Sequence, residues 1–354
     1  IGEDVISDEF DNDDDSQPEQ MQEDGKYKVV VYGITQHSES VAVVLEDYEP
    51  YFYIRVPYEL QGKFTKKMLN SLHSEIKFKV WSKTIDYKDS IVAKEILERK
   101  EFYGFTNDKP IQFIRFRFRS IGAMRSYARL FQEPLKVGTI HSKPLYYQLY
   151  ESNIDPLLRL CHIQSVLPVG WIKLPAEKYQ VIPKAGREYR TQYEFHANWR
   201  TIEPVNIPDI GPMVVASFDI ECVSEDGSFP KADRPNDCII QIGTTCHYHG
   251  KKDCFLRHII TLGKSDEIEG AMVESYETEE EVLLAWTNFM QRLDPDVITG
   301  YNIWGFDMKY MFERAQLLGI QDAFCQLGRN KERTSNLVEK SLQSSALGQN
   351  FFYI

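Results

Sequence analysis

The chain has 354 residues, 42% of them hydrophobic, with 53 Asp+Glu against 41 Lys+Arg and a formal net charge of −12. That balance excludes a uniformly basic nucleic-acid binder, and no run of about 18 apolar residues offers a transmembrane helix. The charge is unevenly held: residues 1–25 carry eleven acids and no base, 26–213 carry 28 bases and 20 acids, and 214–354 carry 13 bases and 22 acids. A basic module joined to an acidic one is therefore allowed, although the average conceals it.

Residues 1–25 are acidic and poor in large apolar groups, so they are expected to be a disordered tail. They lack an apolar h-region and do not read as a secretory signal. The length suggests roughly two domains of about 100–200 residues. Six scattered cysteines, with no C-x-x-C pair, suit free thiols in a reducing, intracellular compartment.

From Tyr27 onward the pattern turns to short β-rich runs. Residues 28–35 and 40–45 read as a hairpin around the polar turn at 36–39. Residues 50–57 form a further strand between prolines, and 64–72 a short helix. Residues 111–119 alternate apolar and basic at period two, with one slip of register at Phe113-Ile114. A helix follows at 121–131. The Pro/Gly-rich stretch from Pro168 to Pro212 reads as a seam, with a domain boundary near 200–213. Beyond it come an apolar strand at 213–220, a hairpin of 238–247 and 254–262, a helix at 278–293, a short strand at 297–299 and a helix at 306–318 ended by Gly319. Thr278 and Glu281 have the spacing of a capping box. Strands alternating with helices describe an α/β sheet layered with helices.

Asp219 and Glu221 close the strand at 213–220. Side chains alternate along a strand, so the two carboxylates share one face. Both ionised there, they repel unless water or cations neutralise them, and hard cations such as Mg²⁺ prefer oxygen ligands. A loop cap and a solvated acid would also suit a D-x-E at a strand end. Asp307, in the first turn of the next helix but one, offers a third carboxylate from a separate element, although an acid there also suits the helix dipole.

Phe218-Asp219-Ile220-Glu221-Cys222 and Tyr301-Asn302 through Phe306-Asp307 resemble the first two exonuclease motifs of family B DNA polymerases, closest to the polymerase delta-like branch that includes large DNA viruses. Tyr51-Phe52-Tyr53, Tyr150 to Asp155, Gly170-Trp171-Ile172-Lys173-Leu174-Pro175 and Asp294 to Asn302 are similar to stretches of that branch in the same order. The resemblance implies a mixed α+β N-terminal, template-binding domain over 26–212 with β-rich, barrel-like portions. It also implies an α/β RNase H-like 3′→5′ exonuclease domain over 213–354, incomplete at its C-terminus. By the same resemblance Asp219, Glu221 and Asp307 are catalytic ligands of two Mg²⁺ ions (Mn²⁺ an alternative), Asp219 bridging them. Asn302 and Phe306 would hold the single-stranded 3′ end of a primer-template, although Asn302 also suits a turn and Phe306, as the first apolar residue of a helix, also suits the core. The partners implied are DNA and a sliding clamp or accessory subunit, in a nucleus or at a viral replication site, with no membrane.

The family's fourth carboxylate lies in a Y-x-x-x-D motif, and the 47 residues after Asp307 hold none; Tyr310 is followed four residues on by Arg314. The polymerase palm is also absent. The expectation is the N-terminal part of a replicative polymerase, inactive as an isolated piece, with a stand-alone DEDD-type exonuclease or a non-catalytic nucleic-acid-binding scaffold as alternatives. Lys63, Lys66, Lys67, Lys77, Lys79, Lys83, Arg115, Arg117 and Arg119 suit template phosphates or a solvated charged face equally. The Cys246, His249, Cys254 and His258 spacing resembles a zinc knuckle, but it falls across a hairpin that would scatter the side chains.

Overall fold

The computed structural model of the protein describes residues 26–81, 87–101, 109–344 and 348–353, with backbone alone at 81, 339–344 and 348–353. The acidic tail at 1–25 and Lys83 lie outside the described residues. The chain forms two compact units. One takes the residues up to Val29 together with Asp47–Ile163; the other takes Val30–Glu46 and the residues from Gln164 onward.

The described chain starts with a hairpin, β1 (Val29–Ile34) and β2 (Ser40–Glu46), turned by the Thr35 and Ser38 backbone bonds. The first unit then contains β3 (Tyr51–Arg55), α1 (Lys66–Trp81), β4 (Ile91–Arg99), β5 (Ile111–Phe118), α2 (Ile121–Arg129), β6 (Leu149–Tyr150) and α3 (Pro156–Gln164). Its sheet runs β4-β5-β3-β6, antiparallel throughout. The slip in β5 is real: Phe113 and Ile114 are both buried, and alternation resumes with Phe116 and Phe118. Phe52 stacks on Phe118 at 5.0 Å in a core closed by Leu72, Ile76 and Tyr127 of the two helices. Helix α1 runs well past the expected 64–72, because Leu69, Leu72, Ile76 and Val80 continue the buried stripe at helical spacing.

Two expectations change in this unit. Among the described residues there is no closed barrel, since β4 and β6 are the edges of an open sheet. Four strands are far short of the roughly eight that enclose a filled interior, and helices cover the core instead. The outward arginines of β5 are also not free charges. Arg115 pairs with Glu95 on the neighbouring strand at 2.6 Å, and Arg117 with Glu49 at 2.8 Å.

The second unit contains β7 (Trp171–Lys173), β8 (Tyr179–Val181), β9 (Tyr193–Asn198), β10 (Glu203–Val205), β11 (Val214–Cys222), β12 (Ile239–Tyr248), β13 (Leu256–Leu262), β14 (Met272–Tyr276), α4 (Glu279–Leu293), β15 (Val297–Thr299), α5 (Asp307–Leu317), α6 (Gln321–Phe324), β16 (Glu339–Ser344) and β17 (Gly348–Tyr353). Packing does not divide the chain at the Pro/Gly-rich seam. Strand β2 runs parallel beside β9, Val41 opposite Tyr193, in a sheet ordered β1-β2-β9-β8. The main sheet is β14-β13-β12-β11-β15, with β11 antiparallel to β12 and parallel to β15. Its core centres on Trp286 of α4, which meets Phe218 at 5.0 Å and Phe324 at 6.2 Å.

Helix α4 starts as its sequence dictates. The Thr278 hydroxyl accepts from the Glu281 amide at 3.3 Å, and the Glu281 carboxylate accepts from the Thr278 amide at 3.2 Å. Thr278→Ala should cost about 1 kcal/mol, the usual value of an N-cap, read as a lowered midpoint in denaturant unfolding.

Candidate active site

From Ala216 onward strand β11 alternates. Ala216, Phe218 and Ile220 point into the core, while Asp219 and Glu221 are exposed on the other face. Opposite Asp219 stands Gly243, where a Cβ would meet nothing within 4 Å, so the space beside that carboxylate is open. Asp307 comes from the first turn of α5 and is only 3% exposed. Its Oδ1 accepts from the Ile220 amide at 3.2 Å, which anchors the helix start to the strand end. The Asp219 carboxylate lies close enough to Asp307 for its charge to act on it.

Burial raises the Asp307 pKa above the usual carboxylate range, and the charge of Asp219 raises it further; bonds from its own amide and that of Ile220 oppose the shift. Cys222 follows Glu221 on the strand. Burial pushes its thiol up to about 12, and Glu279, Asp307 and Glu221 add to the effect, so it is a protonated bystander and no nucleophile.

The donor chemistry fits a hard divalent cation, since two carboxylates lie together beside open space. The grouping is looser than the sequence led us to expect. Asp219 and Asp307 meet, but among the described residues no three His, Cys, Asp or Glu side chains converge closely enough to hold an ion. Glu221 shares the strand face without closing the set.

A family model described as DNA polymerase family B, exonuclease domain, matches residues 147–350. The chain belongs to DNA polymerase family B. A DNA polymerase of Acanthamoeba polyphaga mimivirus is 34% identical over 299 residues, 83% of this chain and 17% of that protein. The DNA polymerase delta catalytic subunit of Bos taurus is 32% identical over 328 residues, 90% of this chain and 29% of its own length. A family B DNA polymerase structure from the archaeon Pyrobaculum calidifontis shares the fold with a TM-score of 0.52 at 20% identity, covering 91% of this chain and 33% of that one. This family B chain thus spans a third or less of each of these relatives. Exonuclease domains of the family are metal-dependent nucleases.

The turn from β15 into α5 carries the remaining expected residues. Asn302 sits at φ 54°, a left-handed conformation that Asn tolerates, and its carbonyl accepts from the Gly305 and Phe306 amides. It is exposed, with its amide folded beneath Gly305. Phe306 is half-buried and meets Phe229 edge-on at 5.2 Å. Gly300 lets this turn cross the end of β11: a Cβ there would stand 2.4 Å from the Phe218 carbonyl oxygen. Gly300→Ala should cost about 1–3 kcal/mol, the range for overpacking, read by thermal unfolding.

Phe229 escaped the sequence reading. It is 70% exposed on the loop between β11 and β12. Its only local signal is an apolar ring in a run of polar residues and turn-formers, Glu225-Asp226-Gly227-Ser228-Phe229-Pro230. Also missed were Glu279 and Arg314, whose buried ion pair lies behind the site.

Proposed function

We propose that the second unit is the 3′→5′ proofreading exonuclease of a replicative DNA polymerase, with an RNase H-like fold. The observation that carries this reading is the meeting of Asp219 from a strand end with Asp307 from a helix start, beside open space and within the matched exonuclease region. The fold assignment is supported by a central β11 flanked by an antiparallel and a parallel neighbour. The relatives' names favour a nuclease carried by a polymerase over a stand-alone exonuclease or a scaffold.

In this reading Asp219, Glu221 and Asp307 would be the ligands of two Mg²⁺ ions. The ions supply a bound water acidified toward neutral pH and positive charge for the attacking and leaving oxygens. The protein supplies orientation. The Ile220 amide fixes Asp307, and strand alternation keeps Asp219 and Glu221 on one face. Phe306 and the exposed Phe229 offer ring surfaces to the last bases of a frayed strand, and Asn302 offers an amide at the turn. Base stacking is sequence-tolerant, as a nuclease that removes any mispaired nucleotide requires. The first unit would lie along template, and a clamp or accessory subunit would complete the assembly.

The test is excision of a 3′-labelled single-stranded oligonucleotide by the complete protein. Mononucleotide release should need Mg²⁺ and stop with a chelator. Release that persists in the chelator would exclude metal-dependent hydrolysis at this site.

A further inference from the structure

The loop between β11 and β12 presents Phe229 to solvent at 70% exposure, and its backbone is held in place. What holds it comes from α5. The Arg314 guanidinium, 1% exposed, donates to the carbonyls of Ala232 (3.1 Å), Arg234 (2.7 Å) and Pro235 (3.2 Å), three acceptors on one loop. Glu279, at the first residue of α4, fixes that guanidinium through Nε at 2.9 Å and a second short contact, and also accepts from the Ile239 amide where β12 begins. One turn nearer the site, the Tyr310 hydroxyl donates to the Asp237 carbonyl at 2.8 Å. The Asp237 carboxylate, fully buried, accepts from the Glu225 and Lys231 amides on either side of Phe229.

Asp307, Tyr310 and Arg314 are spaced three and four apart, so they lie along one side of α5. The helix that supplies a carboxylate to the site therefore also clamps the loop that carries Phe229. Between them Phe306 bridges the two, 5.2 Å from Phe229 and 5.2 Å from Tyr310.

We propose that Arg314 and Tyr310 are positioning residues for capture of the single-stranded 3′ end. They act through the loop, setting Phe229 against Phe306 at a fixed distance from the Asp219–Asp307 pair. The inference rests on the exonuclease reading and adds that affinity for the strand end is set from behind by α5.

Tyr310→Phe removes one hydroxyl, and Arg314→Lys keeps the charge opposite Glu279 while losing the fork that spans three carbonyls. In the complete protein with Mg²⁺ and a single-stranded oligonucleotide, each should raise KM about tenfold and leave kcat within about twofold, the signature of lost binding with chemistry intact. Phe229→Ala should raise KM by a similar factor, and adding Tyr310→Phe to it should bring little more, because the hydroxyl acts through that ring. Unchanged KM in Tyr310→Phe, or an equal rise with and without Phe229, overturns the proposal. If Arg314→Lys fails to fold by circular dichroism, the Tyr310→Phe and Phe229→Ala cycle still decides. Asp219→Ala separates the two readings: loss of excision there with no KM effect in the cycle removes only the positioning role, and persistent excision removes both.

Discussion

Replacing Asp219 and Glu221 together by alanine in the complete protein is expected to lower 3′→5′ excision by at least about 10²–10³-fold, the loss that follows removal of one preorganised electrostatic group from an active site. The physical reason is that both carboxylates are exposed on the open face of β11, so their removal takes away charge and not packing. Thermal stability should therefore hold while excision falls. Any nucleotide incorporation by the complete protein should survive, since neither residue contributes to the core. Unchanged excision in the double variant would take these residues out of the active site. Asp307→Ala is the less clean experiment, because that carboxylate is buried and also anchors the Ile220 amide.

The second large effect lies behind the site. Glu279→Ala leaves the Arg314 guanidinium buried without its counter-charge, and breaking a buried pair from one side costs about 3–5 kcal/mol. It also orphans the Ile239 amide, which donates to Glu279 at 2.9 Å. The denaturant midpoint of the variant should fall accordingly. Exchanging Glu279 for Gln, which keeps an acceptor for Ile239, should recover part of the loss. A midpoint within error of the parent in Glu279→Ala would mean that the guanidinium is satisfied by the three loop carbonyls alone. Desolvation favours the first outcome: a charged group at 1% exposure has almost no water to replace the carboxylate.

Elements with strong local patterns were legible from the sequence. The capping box at Thr278 and Glu281, the register slip at Phe113-Ile114, the strand ending in Asp219 and Glu221, and Asp307 at a helix start all follow from neighbours within a few residues. The missed elements depend on distant partners. Strand β4 alternates poorly because its long side chains face a neighbour strand's arginines, as Glu95 faces Arg115. Strand β14 is a short edge strand that runs parallel beside β13. Helix α1 continues beyond residue 72 against a local signal: Ile76-Lys77-Phe78-Lys79-Val80 alternates like a strand, and the core beneath Ile76 and Val80 decides for the helix.

The sequence by itself determined which carboxylates are available and on which face of which element each one stands. Alternation along β11 and the first-turn position of Asp307 require only local geometry. Tertiary structure alone decided that Asp219 and Asp307 lie together, that Arg115 and Arg117 are paired, and that an arginine and a tyrosine of α5 hold the Phe229 loop. Glu279 and Arg314 are 35 residues apart, and Tyr310 and Asp237 are 73 apart. At such separations the partner of a polar group is chosen by which segments the hydrophobic core brings together, and a buried charge or carbonyl must then accept whatever donor or acceptor the packing supplies.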